Sequence, residues 1–231
     1  MKKLNLALLL LVFAGITNMT AQADMQANVT MIKKNFADSQ ANLKKFEWIE
    51  TTTIFVKGEQ KSVKQKQCYY DVTGKLTKVE TGGSTAEQKK GGIRGKIIEN
   101  KKEEMSDYAK AAVAKIHTYL PPSPEKIQKI YAGGKTSVQI LEPNTKFKLS
   151  FPDYNEPGDQ LAVSLNKASK KIMALDVSTS VDNPSEKVVF NITYSDLPDG
   201  TQYATKTVLD APAKDLKVVI ENSGFKNAAG K

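Results

Sequence analysis

The chain has 231 residues, 40% of them hydrophobic, with a formal net charge of +9, one cysteine and one histidine. That length can bury a substantial core without covalent staples, the single cysteine excludes an internal disulfide, and the single imidazole excludes a histidine-rich metal site. The positive charge is almost all lysine, because Arg94 is the only arginine; the flat, forked donors that specific nucleic-acid recognition leans on are therefore missing.

In chain order, Met1-Lys2-Lys3 is a short positive start and Leu4 to Ile16 is nearly unbroken apolar sequence. Ala21-Gln22-Ala23 then gives the small-x-small pattern of a signal-peptidase site, so residues 1–23 read as a leader and 24–231 as one mature periplasmic domain. The apolar run is too short to span a bilayer. Without Lys2 and Lys3 the net charge is +7.

Met25, Val29, Ile32, Phe36 and Leu43 fall on one helical stripe. Strand formers then fill Phe46 to Val56, and further strands are predicted over 62–70 and 75–80, separated by the turn Asp71-Val72-Thr73-Gly74. Residues 81–95, with two Gly-Gly pairs and Lys89-Lys90, are expected to be an exposed loop. Helical periodicity returns from Lys96 to Leu120 and stops at Pro121-Pro122; Ser123-Pro124 opens a short helix that ends near Gly133-Gly134. The rest alternates as strands around Phe147–Phe151, Leu161–Leu165, Met173–Val177, Val188–Tyr194, Tyr203–Leu209 and Leu216–Ile220, with connectors short enough only for antiparallel neighbours.

About nine strands at ~4.8 Å spacing make a sheet about 40 Å wide, while three helices each ~10 Å across cover at most about 30 Å of it. A flat sheet would leave apolar surface bare. The expected fold is therefore α+β: a strongly curled antiparallel sheet, an unclosed β-barrel, with helices covering its concave face and an apolar cavity beneath them. Trp48, Phe55, Phe147, Leu149, Leu161, Val163, Phe190 and Ile192 are the candidate lining, under a lid formed by the helix 96–120. Lys89, Lys90, Arg94 and Lys96, gathered where that helix begins, are candidates for holding an anionic headgroup. The same stretch lacks the Gly-Lys-Ser/Thr order of a phosphate loop, and a solvated loop is the bland alternative.

This element order, together with the segments Phe147-Lys148-Leu149-Ser150-Phe151-Pro152-Asp153-Tyr154 and Leu197-Pro198-Asp199-Gly200-Thr201, resembles the outer-membrane lipoprotein-carrier superfamily, the LolA/LolB-like periplasmic proteins. The resemblance implies an unclosed barrel with a helical lid and a bound lipid or lipoprotein acyl chain; no functional residue of that family is carried over. Catalysis has little to stand on. His117 sits among Val113 and Ile116 on a helix, Cys68 is far from it in sequence, no Gly-x-Ser-x-Gly elbow is present, and Glu103, Glu104 and Asp107 share a lysine-rich helix face. The expectation is a monomeric, non-enzymatic periplasmic carrier with no cofactor, no metal and no nucleic-acid partner, touching the membrane at most peripherally. The alternative is an envelope protein–protein interaction module that meets its partner through a lysine-rich surface and takes no small ligand.

Overall fold

The computed structural model describes residues 30–32, 34–85, 93–181 and 183–228. Residues 34–43 form a helix, α1, and after it come β1 (Phe46–Val56), β2 (Glu59–Tyr70) and β3 (Leu76–Thr85). Two helices follow, α2 (Ile93–His117) and α3 (Pro124–Ala132), and then seven strands: β4 (Ser137–Glu142), β5 (Lys146–Pro152), β6 (Gln160–Asn166), β7 (Lys171–Ser180), β8 (Lys187–Asp196), β9 (Gln202–Ala211) and β10 (Leu216–Asn227). Among the described residues all ten strands join one antiparallel sheet in the order β3-β2-β1-β10-β9-β8-β7-β6-β5-β4.

Local chemistry sets the ends of these elements. The Asp71 carboxylate accepts from the Thr73 and Lys75 backbone amides at 2.8 and 3.0 Å, and Gly74 takes φ 79°, which closes the β2–β3 turn. The Ser123 hydroxyl accepts from the Lys126 amide at 3.2 Å and caps α3, with Pro124 in its first turn. Strand β3 runs on through Thr81–Thr85, where a loop is expected from sequence. Its glycines explain why: a Cβ on Gly83 would come within 2.9 Å of the Val63 carbonyl oxygen, so the close approach of β2 needs glycine there.

The register builds one continuous apolar row across seven strands: Phe151, Leu161, Val177, Phe190, Leu209, Val218 and Ile54 are successive cross-strand partners. Helix α2 lies across this row. Its Met105, Tyr108, Ala109 and Ala112 pack with Leu209, Leu216, Val218 and Ile54, and Ile116, with Tyr119 just beyond the helix, packs with Phe151, Leu161 and Val177. Phe190 belongs to both groups. At 25 residues α2 is ~37 Å long, close to the ~43 Å spanned by nine gaps between strands. The chain leaves β3 at one edge and re-enters the sheet as β4 at the other, so this helix carries it across nearly the full width.

Two points correct the fold expected from sequence. The described residues form ten strands rather than about nine, the additional one being β4. The sheet is neither closed nor strongly curled, so it is not an unclosed β-barrel with helices over a concave face. Bare apolar surface does not force the sheet to curl. Instead the surface stays bare at the edges: Val138, Ile140 and Leu141 on β4 and Leu76 and Val79 on β3 are all exposed. No helix among the described residues is long and apolar enough to cross a membrane.

Candidate functional site

The strand alternation that carries Ile54 to the helix-covered face carries Trp48 there too, six residues earlier on β1. Trp48 stacks on Phe225 of β10 at 5.5 Å between centroids and 13° between planes, and it leans against Tyr70 of β2 at 6.1 Å. Gly224, at φ 65°, gives the backbone the turn that presents Phe225. Phe225 in turn meets Tyr203 of β9 at 4.3 Å. From the other side, Phe36 of α1 points its edge at Tyr194 of β8, 5.8 Å away. The Ser39 hydroxyl accepts from the Gln202 amide at 3.1 Å, and the Asn35 side chain donates to the Lys170 carbonyl, so α1 is fixed over the ends of β8 and β9.

Between α1 and these strands lies a cavity of about 270 Å³, lined by Phe36, Gln40, Leu43, Trp48, Tyr70, Tyr194, Tyr203, Ala204, Asn222 and Phe225. Six of those ten side chains are aromatic in a chain that is 7% aromatic, and none is charged in a chain that is 26% charged. Asn222 braces the wall: its amide oxygen accepts from the Trp48 indole at 3.1 Å, and its amide nitrogen donates to the Ala204 carbonyl at 2.9 Å. Burial pushes the Tyr194 phenol up to about 12, so it stays neutral at any physiological pH.

The residues expected to line a cavity are not all brought together. Of the eight, only Trp48 lines this cleft. Leu161, Val163 and Ile192 are buried core residues, and Leu149 and Phe190 pack half-buried against them. Phe147 is half-buried on β5, and Phe55, adjacent to Ile54, projects from the opposite face of β1. Lys89 and Lys90 lie outside the described residues; Arg94 falls in the first turn of α2 rather than in a loop before it, and Lys96 lies in that helix as expected. The aromatic residues Tyr70, Tyr194, Tyr203 and Phe225 escape a sequence reading because each looks like an ordinary strand residue. The only available signal is that all four sit within a few residues of a strand end, where aromatics from neighbouring strands can converge.

Among the described residues no group of three or more His, Cys, Asp or Glu side chains is placed to hold a metal ion. Cys68, opposite Trp48 in the β1–β2 ladder, is fully buried and its thiol is pushed up, by burial first and then by the Glu50 carboxylate. His117 is exposed at the end of α2. The most connected polar cluster is Tyr119, whose hydroxyl donates to Asp159 at 2.6 Å and lies 2.9 Å from the Thr179 hydroxyl. Asp159 also accepts from the Asn155 and Glu156 amides, and all three side chains of the cluster are buried, so it ties the 153–159 loop to α2 rather than facing a substrate.

No family model matches the sequence, and no curated protein matches it. Among solved structures, the fold is similar to a DUF1329 family protein from Desulfovibrio piger, with 9% identity and a TM-score of 0.32 over 87% of this chain and 94% of that one. It is also similar to a domain described as an outer membrane lipoprotein-sorting protein from Vibrio parahaemolyticus, with 10% identity and a TM-score of 0.32 over 85% of this chain and 92% of that one.

Proposed function

We infer that this chain is a non-enzymatic binding protein of the bacterial cell envelope, and that it holds a slender, uncharged apolar group in the cleft between α1 and the sheet. One observation carries the reading: an open cavity walled by six aromatic rings and free of charged side chains. In a protein with a formal charge of +9, that exclusion of charge selects for a neutral group. A cavity of about 270 Å³ falls just below the usual ~300–1,000 Å³ of small-molecule sites, enough for one acyl-chain segment or one ring but not for a whole diacyl lipid. Residues 1–23 act as an export leader and 24–231 as the mature periplasmic domain in this reading. The bound group is then an acyl chain or similar apolar moiety handed over in the envelope.

Trp48 is the only tryptophan in the chain and forms one wall of the cleft, so its emission reports occupancy directly. Titration with a neutral monoacylglycerol should shift or quench Trp48 fluorescence saturably, and Phe225→Ala should weaken binding about tenfold or more by removing the ring stacked on Trp48. Trp48 emission that ignores acyl and ring-bearing neutral probes alike, with the protein folded, would sink the reading. The rival, ligand-free interaction module lacks a comparable observation, because many surface lysines are already paired, among them Lys148 with Asp176, Lys171 with Asp196 and Lys214 with Glu186.

A further inference from the structure

The two edges of the sheet are treated differently. On β3 the outer strand carries Lys78 and Glu80, a Gly-Gly pair and a register irregularity opposite Gln65 and Lys66. Charges, glycines and bulges are the devices by which edge strands avoid pairing with another chain. Strand β4, Ser-Val-Gln-Ile-Leu-Glu, has no lysine, proline or glycine, all six of its residues are exposed, and its irregularity comes only after Ile140. Val138, Ile140 and Leu141 are 59%, 63% and 46% exposed, three large apolar side chains on one short strand whose outer edge has no strand partner among the described residues.

We propose that β4 pairs antiparallel with β4 of a second copy, joining two sheets about a two-fold axis through Gln139. The register follows from faces. Val138 and Ile140 partner Leu149 and Phe147 on β5, so both project to the helix-covered side. A two-fold axis perpendicular to the sheet keeps that side common to both copies, and it then opposes only residues of the same parity. Centring on Gln139 sets Val138 against Ile140 of the second copy and Ile140 against its Val138, two aliphatic cross-strand pairs in place of four bare side chains. The ends carry their own counter-ions, Lys135 paired with Asp153 and Glu142 with Lys146 within each copy, so neither end of the strand brings an unneutralised charge to the seam. A parallel arrangement would not close. The contact is narrow, so the dimer is weak, with dissociation in the micromolar range.

Sedimentation of the purified protein from about 5 to about 500 μM tests this. The expected result is a reversible, concentration-dependent dimer that Ile140→Lys weakens about tenfold or more, while Val79→Lys on the β3 edge leaves it intact. Both positions are exposed, so neither change should lower the thermal midpoint, and a melt confirms that each variant is folded. Gln139→Cys should form an interchain disulfide under mild oxidation, because the axis places the two residues opposite each other; the buried Cys68 does not compete. A protein that stays monomeric at the top of the range, or a dimer indifferent to Ile140→Lys, overturns the proposal. A complex that forms only with another envelope protein while the chain alone remains monomeric overturns it equally.

Discussion

Tyr119 loses contact with solvent where α2 ends, and among the described residues its hydroxyl is the one side-chain donor to the buried Asp159 carboxylate. The remaining donors to Asp159 are backbone amides of Asn155 and Glu156 in the loop it organises. Tyr119→Phe keeps the ring, and its stacking on Tyr154, but removes the bond to the Asp159 carboxylate and the contact with the Thr179 hydroxyl. The expected loss is about 2 kcal/mol of unfolding free energy, read from urea melts, against a negligible loss if the carboxylate were reached by solvent. The same scale shows what sequence can and cannot reveal about the cleft. Trp48 is recognisable as a large apolar strand residue, but its partners Asn222 and Phe225 lie some 170 positions away and reach it only because β1 pairs with β10. Nothing in the local pattern around Trp48 encodes that pairing.

Among the elements, the apolar row under α2 separates residues that look alike in sequence. Leu161 is fully buried within it, whereas Val189, on the other face of β8, is 43% exposed. Leu161→Ala should cost about 3 kcal/mol through lost burial and a residual cavity, while Val189→Ala should stay within about 0.5 kcal/mol. Equal effects in chemical denaturation would mean that the face assignment is wrong. A strand such as Lys187–Asp196 is legible because its apolar residues alternate with polar ones, and Val188 and Ile192 are buried while Lys187, Thr193 and Ser195 are exposed. Strand β4 is not legible, since Val138, Ile140 and Leu141 break the alternation and no face of the strand is buried. The helix at Ile93 starts earlier than the apolar stripe suggests because Ile93 and Arg94 are compatible with helix without contributing to the stripe that a pattern search follows.

At the scale of the whole molecule, stability should depend on pH at both extremes. Asp71, Asp153 and Asp199 lie at turns and are held below the usual carboxylate range, chiefly by the Thr73 hydroxyl, the Gly158 amide and the Thr201 amide respectively. Groups depressed in the folded state stabilise it above their unfolded value near pH 4, and that contribution fades as pH falls through the folded values. Tyr194, raised to about 12 by burial, and Tyr119, raised by burial and then by Asp159, act in the opposite direction. Their contribution is complete below the unfolded value near 10 and disappears as pH climbs towards the folded one. Urea midpoints should therefore hold a plateau between about pH 5 and 10 and fall on either side; a midpoint unchanged to about pH 12 would show the phenols to be solvated. The curl of the sheet was not legible, because an argument from area cannot say whether spare apolar surface bends inwards or is left at an edge. The antiparallel meander was legible strand by strand. What joins its two runs is the one junction, among the described strands, between elements that are not neighbours in sequence: Phe46–Val56 against Leu216–Asn227, with the Ala228 amide reaching back to the Lys45 carbonyl. Every other ladder is local, so loop-closure entropy falls almost wholly on this seam. The first strand waits for the last before the Trp48 wall exists, which makes the binding cleft a late product of folding and its occupancy a sign that the whole chain has come together.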